Sequence, residues 1–309
     1  MHRRAIAFVT HAGHPAIAPD DRHALDVLAA RTGAPVEGVP WDAAGARWEE
    51  YAAVVVRSTW DYHRRPGDFL AWVDRIEGKG ANLWNPAALI RWNADKRYLG
   101  ELARAGVPAV PTAWLPRGAD PDLAALLEER RWGRAVVKPS VSATAWRTWL
   151  TDPAEAGSEA GRARLRELLA DGEAMVQPFL EEVAAEGEWS FVFFGDGAGE
   201  LSLSHTVLKR PAAGDFRVQD EHGGSSAPAV PPGSLRQRVT AVAGALWPLL
   251  PARPIYARLD GVQVRPDTHP GGFLLMELEL IEPVLFLGAD PAAPGRFAEA
   301  VASALPGRR

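Results

Sequence analysis

The chain of 309 residues contains no cysteine. Disulfides, thiolate nucleophiles, Cys-ligated zinc and iron–sulfur clusters are thereby excluded. Long apolar runs are missing as well. The start, MHRRAIAFVTHAG, offers only the short run Ala5 to Val9, too brief for a signal peptide or a membrane span. A positive excess is also absent: the net charge is −5, which argues against non-specific nucleic-acid binding. No GxxxxGKS/T, HExxH or GxSxG occurs, and Gly195-Asp-Gly197-Ala-Gly199 lacks the last glycine of a dinucleotide fingerprint. P-loop hydrolysis, zincin chemistry, serine esterase chemistry and hydride transfer lose support. With 47% apolar and 24% charged residues, the expectation is a cytoplasmic globular protein. The twelve Trp are spread along the chain and suit core packing.

What is present begins with alternation. Strand signals at 4–10, 34–39 and 52–57 alternate with helical signals at 20–32, closed by Gly33, and Pro66 to Glu77, closed by Gly78. This predicts a small parallel α/β domain over residues 1–92. The loop RSTWDYH (57–63) follows the carboxyl end of the strongest strand, where open α/β sheets bind ligands. It reads equally as a tight polar turn with Asp61 as a cap. A helix beginning at Asn93 (NADKRYLGELARA) stops at Gly106. An α+β pattern follows: helices at 120–131, 161–170, 234–249 and near 295–304, and strands at 134–139, 145–150, 173–180, 188–194, 255–264 and 273–282, with a third section opening through 201–209. The Gly/Pro/Ser-rich segment 211–233 has the length of a functional or mobile loop.

Chemistry concentrates late in the chain. In LLMELELIEP (274–283), strict alternation puts Leu274, Met276, Leu278 and Leu280 on one face and Leu275, Glu277, Glu279 and Ile281 on the other. Glu277 and Glu279 then sit roughly 6.5 Å apart, as a solvated strand face or as a metal site. A hairpin with the strand carrying Asp260 adds a third carboxylate, a hard-oxygen set suited to magnesium beside phosphate. Lys138 precedes a run of small and hydroxyl residues, PSVSATA, and is either a phosphate ligand or an ordinary surface lysine. His11, His14, His63, His205 and His222 show no metal-ligand spacing.

The ordered set Lys96, Lys138 with its small-residue loop, VQPFL (176–180), Glu188, Lys209, Arg258-Leu-Asp260 and Glu277-Leu-Glu279 resembles the ATP-grasp superfamily, over nearly the whole chain. Glutathione synthetase, D-alanine–D-alanine ligase and the ribosomal-protein glutamate ligases are the nearest in kind. RSTWDYH and KPSVSAT are similar to a ligase type that cyclises O-ureido-D-serine to D-cycloserine. The resemblance implies an ATP-grasp fold at 93–309, with a lid at about 112–185 and a catalytic part at about 186–309, preceded by the small Rossmann-like domain.

It also implies an ATP-dependent carboxylate–amine ligase working through an acyl phosphate on a small amino-acid-like substrate, or its cyclising version. A small-molecule kinase and a non-catalytic ATP-binding regulator are the alternatives. Lys96, Lys138, Ser140 and Ser142 would contact ATP phosphates, Gln177, Pro178 and Leu180 the adenine, and Glu188 the ribose. Lys209 would hold the γ-phosphate, Arg258 the oxyanion, and Arg217 the acyl phosphate or substrate carboxylate. Asp260, Glu277 and Glu279 would bind two Mg2+ ions, with Mn2+ as a substitute. Arg57, Ser58, Thr59, Asp61 and His63 would meet the substrate. A homodimer, without nucleic-acid or membrane partners, completes the expectation. Two departures stand out: residues 139–145 contain no glycine where relatives are glycine-rich, and Glu279 occupies a position commonly held by asparagine.

Overall fold

The computed structural model describes residues 4–196, 200–265 and 271–305. Gly197 and Gly199 of the incomplete fingerprint lie outside the described residues, as do residues 266–270 of the turn between the last two strands. Strands β1 (Ile6–Thr10), β2 (Val36–Pro40), β3 (Ala53–Val56) and β4 (Leu83–Trp84) form a parallel sheet in the order β2-β1-β3-β4. The continuous apolar runs in β1 and β3 follow from burial on both faces. Ile6, Phe8, Ala53 and Val55 enter one core, with Leu28 of α1 (Leu25–Thr32) and Phe297 of the C-terminal helix. Ala7, Val9, Val54 and Val56 enter another, where α2 (Pro66–Gly78) brings Phe69 and Trp72 against Trp41 and Trp48. The first sheet is thus sealed by the end of the chain as well as by its own helices.

The helix expected to begin at Asn93 is two helices. Asn93 ends α3 (Ala87–Asn93), and α4 runs over Tyr98–Arg104. The interruption has a physical cause. The Asn93 amide donates to the Leu278 carbonyl at 2.8 Å and accepts from the Leu280 N–H at 2.8 Å, so its side chain is bound to a distant strand. The Lys96 N–H donates to the Ser140 carbonyl instead of to a helical partner. Lys96 is therefore placed by a break in the helix, not by a helical face.

Strands β5 (Ala113–Leu115), β6 (Ala135–Pro139), β7 (Trp149–Thr151) and β8 (Ala174–Pro178) make an antiparallel sheet, in the order β5-β8-β6-β7. Helices α5 (Leu123–Arg130), α6 (Pro153–Gly157) and α7 (Glu159–Asp171) surround its core of Leu127, Leu165, Leu168 and Val176. Asp122, Asp152 and Ser158 cap these helices by accepting from the backbone N–H three residues on. Only the end of the strand expected at 145–150 forms. The loop before it places Thr144, Ala145 and Arg147 at φ 49°, 55° and 52°, left-handed conformations that favour glycine. The glycine-free loop thus adopts glycine-like geometry without glycine.

A five-stranded antiparallel sheet completes the fold. Its strands β9 (Glu188–Gly195), β10 (Leu201–Arg210), β11 (Ser225–Pro228), β12 (Tyr256–Gln263) and β13 (Phe273–Glu279) lie in the order β11-β10-β9-β12-β13. The short helix α8 (Glu181–Ala185) precedes β9, while α4 and α9 (Gly233–Leu246) share its core and α10 (Ala293–Ser303) returns to the first sheet.

The strict alternation expected for β13 fails at one point. Asp260 pairs with Glu277, but Gly261 pairs with Leu275, so Met276 is an extra residue in a β-bulge. Leu275 consequently joins Phe273, Leu278 and Leu280 in the main core, and Leu274 and Met276 pack in a different cluster with Val183, Val218 and Val262. The bulge lets Glu277 and Glu279 face the interior cleft while core leucines lie on both sides of them in sequence.

Candidate active site

The four- and five-stranded antiparallel sheets and the break between α3 and α4 enclose a cavity of about 330 Å³. Six acidic side chains line it (Glu188, Glu221, Asp260, Glu277, Glu279 and Glu282), together with five basic ones (Lys96, Lys138, Lys209, Arg217 and Arg258). Adjacent strands supply most of them through register: β9 and β10 pair Glu188 with Lys209, and β12 and β13 pair Asp260 with Glu277 and Arg258 with Glu279.

Each acid at the centre is answered by a base. Arg258 grips Asp260 with Nε and Nη2 at 3.0 and 2.9 Å, and its Nη2 also donates to Glu279. Lys209 Nζ sits 3.0 Å from Asp260 and 2.5 Å from Glu188, and Ser190 Oγ donates to Asp260 at 2.6 Å. Lys96 Nζ meets Glu277 Oε1 at 3.0 Å and the Ser142 carbonyl at 2.5 Å. Burial works against the Asp260 carboxylate, but Arg258 and Lys209 overcome it and hold the group well below the usual range. At Glu277 burial likewise raises the carboxyl, and Lys96 and Lys138 bring it below its ordinary value. At Glu279 burial prevails over Arg258 and lifts the carboxyl to about 7. Burial also lowers the Lys138 ammonium, which forms no ion pair among the described residues.

At one end the cavity is walled by Val136, Gln177, Pro178, Phe179 and Leu180, where Gln177 donates to Thr112 Oγ1 at 3.0 Å. At the other end runs an irregular strap after β13. Five consecutive carbonyls of this strap are each held by a side chain. The Tyr256 hydroxyl lies 2.9 Å from the Ile281 oxygen, sharing its single proton with the Val56 oxygen. Trp60 Nε1 donates to Glu282, Arg57 Nη2 to Pro283 and Arg258 Nη1 to Val284, at 3.3, 2.8 and 2.9 Å. His205 Nε2 lies 2.8 Å from the Leu285 oxygen. A carbonyl only accepts, so Nε2 carries the proton, leaving Nδ1 to accept from Ser204. Glu282, Val284 and Phe286, every second residue, line the cavity.

Several expected contacts are not made. Arg57 is buried in an ion pair with Asp21 at 2.9 Å and serves the Pro283 carbonyl; Ser58 and Thr59 are fully buried, and none of the three lines the cavity. Asp61 does not cap through its side chain. It accepts from Trp41 Nε1 at 2.9 Å and from Arg65 at 3.1 Å, away from the cavity. His63 is buried against Trp146. Ser140 is buried outside the cavity lining, and its carbonyl anchors Lys96. Arg217 does reach the lining, bound by two contacts to Asp215. The same heptapeptide contributes Trp60 and Tyr62 to the wall, the alternate positions to those expected. Glu282 stood in the acidic stretch without a role. Its spacing from Glu279 breaks the period of two, so no strand pattern marked it.

Over 291 residues, 88% of this chain and 90% of the relative, the sequence is 32% identical to the cycloserine biosynthesis protein DcsG of Streptomyces lavendulae. The chain belongs to the DcsG family. Residues 6–85 match the family described as D-cycloserine synthetase DcsG, N-terminal domain. The crystal structure of D-cycloserine synthetase DcsG superposes with a TM-score of 0.81 at 29% identity, covering 96% of this chain and 98% of that one. At the level of fold, D-alanine–D-alanine ligase from Bacillus anthracis, crystallised with ATP, gives a TM-score of 0.64 at 14% identity, covering 97% and 95%. The RimK domain ATP-grasp protein of Sphaerobacter thermophilus gives 0.65 at 17%, covering 98% and 100%. This DcsG-family chain is an ATP-grasp ligase, a class that uses ATP with magnesium. No helix among the described residues is long and apolar enough to cross a membrane.

Among the described residues of this DcsG-family protein, no group of three or more His, Cys, Asp or Glu side chains is arranged to hold a metal ion. Asp260, Glu277 and Glu279 each face a cationic side chain instead. Their chemistry nevertheless fits magnesium, since all are hard oxygen donors on neighbouring strands. Phosphates entering this cavity would stand beside the Asp260 and Glu277 carboxylates, and cations entering with them would offset that repulsion.

Proposed function

We propose that this chain is an ATP-dependent ligase that closes a small amino-acid-like carboxylate on its own nitrogen, with O-ureido-D-serine as substrate and D-cycloserine as product. The relationship to DcsG supports the substrate class. The observation that carries the chemistry is that Lys96, Lys138, Lys209 and Arg258 converge with three carboxylates in one cavity. In the ligand-free protein, lysine–carboxylate pairs keep like charges apart. When nucleotide enters, Lys96 and Lys209 exchange their carboxylate partners for phosphate oxygens, Lys96 joining Lys138 at the α- and β-phosphates and Lys209 taking the γ-phosphate. Ser142 joins them through its loop.

Gln177, Pro178 and Leu180 take the adenine and Glu188 the ribose. Asp260, Glu277 and Glu279 would hold two magnesium ions, whose chemistry there is to neutralise charge on the transferring phosphoryl group. A substrate carboxylate oxygen attacks the γ-phosphorus and the bond to ADP breaks. The oxygen-bound nitrogen of the ureido group then attacks the acyl carbon and expels inorganic phosphate, and water removes the carbamoyl group from that nitrogen as carbon dioxide and ammonia, leaving D-cycloserine. Arg258, already aimed into the cavity, stabilises the oxyanion of that addition. Arg217 faces the same region from the long loop and would steady the acyl phosphate.

The proposed division of labour places a substrate-facing α/β domain at 1–92, a lid at about 112–185 and the catalytic part at about 186–309, acting as a homodimer. The test is incubation with O-ureido-D-serine, ATP and magnesium. The expected products are ADP, phosphate and D-cycloserine by mass spectrometry, with hydroxylamine trapping an acyl phosphate. A stable phosphorylated substrate would assign a kinase instead. Light scattering tests the dimer.

A further inference from the structure

The reading above leaves one acid in the cavity without work. Glu282 lines the cavity, half-buried, and no side-chain hydrogen bond or ion pair reaches its carboxylate among the described residues; only the charge of Lys96 and its own backbone N–H favour its ionised form. Burial and the neighbouring Glu279 make its ionised form costly there. A half-buried carboxylate left in that condition is a position awaiting a cation.

Its surroundings narrow the kind of cation. Trp60, Tyr62, Val284 and Phe286 line the same end of the cavity, so the acid sits among aromatic and aliphatic groups. A hydrated divalent ion finds no further carboxylate in that group, only the Tyr62 phenol. An alkylammonium is better matched, because it donates a charge-assisted hydrogen bond to the carboxylate while ring faces attract its positive charge. The backbone beneath Glu282 is held on both sides: Tyr256 serves Ile281, Trp60 serves Glu282 itself, and Arg57 serves Pro283. The carboxylate is thereby presented from a fixed point, as a specificity group must be.

We infer that Glu282 is the anchor for the substrate's ammonium group, and that the aromatic end wall around it makes this enzyme selective for carboxylates carrying a free amine. This rests on the proposed amino-acid-like substrate and adds the group that recognises it. With the ammonium at Glu282 and the adjacent reacting carboxylate toward Arg258, the substrate would be held at two points, and an analogue without the amine would leave Glu282 without that partner.

The experiment is calorimetric titration of D-serine and of 3-hydroxypropanoate, which lacks the amine, into enzyme saturated with magnesium and a non-hydrolysable ATP analogue. The wild type should bind D-serine about 10- to 100-fold more tightly than 3-hydroxypropanoate, the worth of one charge-assisted bond. Glu282→Gln should bring the two within about twofold of each other, while Glu282→Asp keeps part of the preference and guards against a folding defect in the first variant. Affinity for the ATP analogue should stay unchanged in both. A wild type that does not bind D-serine or does not prefer it, or a Glu282→Gln enzyme that keeps the preference, would overturn the assignment. Turnover of O-ureido-D-serine is measured alongside. If it fails while the preference for D-serine depends on Glu282, the proposed substrate falls and the ammonium anchor stands.

Discussion

The indole of Trp60 donates to the backbone carbonyl of Glu282 at 3.3 Å across 222 positions of sequence. One residue belongs to the loop after β3 and the other to the strap after β13, so this bond ties the first sheet to the catalytic cavity. Trp60→Phe keeps the ring in the wall and removes only the donor. The expected result is a substrate KM raised about 3- to 10-fold with the ATP KM unchanged, since one neutral hydrogen bond contributes about 1 kcal/mol. Steady-state kinetics with each substrate varied in turn checks this.

Arg57 acts on the same strap through Pro283, but from within the fold. Arg57→Met leaves Asp21 as a buried acid without its cation, a change expected to cost roughly 3–5 kcal/mol. Denaturant unfolding should show the loss, and Arg57→Met combined with Asp21→Asn should recover part of it.

Glu277→Gln keeps the size of the side chain and removes the charge that Lys96 meets and that a magnesium ion would need. Turnover is expected to fall at least about 100-fold, on the scale of removing one group that stabilises developing charge. The melting temperature should stay within a few degrees of wild type. Unchanged turnover would refute the metal role.

His205 holds the Leu285 carbonyl as a neutral imidazole, and burial keeps it below its ordinary value of 6.5. The unfolded chain therefore takes up this proton first as pH falls. Stability from this group is complete above about 6.5 and declines below it, with a slope of at most about 1.4 kcal/mol per pH unit. Melting temperatures between pH 7.5 and 5.5 should fall less steeply in His205→Asn. His63, lowered by burial in the same direction, leaves a residual slope.

Gly261 sits at the bulge beside Asp260. A Cβ there would lie 2.5 Å from the Leu274 carbonyl oxygen and 2.3 Å from the Phe273 ring. The backbone oxygen cannot step aside as a flexible side chain can. Gly261→Ala is expected to cost about 1–3 kcal/mol and to lower turnover by disturbing the Asp260–Glu277 register. Urea midpoints and kcat measured on the same preparation test both effects.

Much of this protein was legible in one dimension. Alternating apolar runs and helix stops disclosed the parallel first sheet, because local periodicity and capping depend on near neighbours. The absence of cysteine bounded the chemistry, and the ordered lysines and carboxylates between Lys96 and Glu279 pointed to ATP-grasp. Three features depended on contacts far apart in sequence. Asn93 breaks a helix because its amide is claimed by β13. Met276 is an extra residue because the pairing of β12 with β13 shifts between Asp260 and Gly261, which moves Leu274 and Leu275 to the opposite of their expected faces. The heptapeptide RSTWDYH offers Trp60 and Tyr62 to the cavity and buries Arg57, because the strap that lies on it returns from residues 281–286. Period and composition record what each segment can do alone; which side chain is left to meet a substrate is decided where distant segments compete for the same hydrogen bonds.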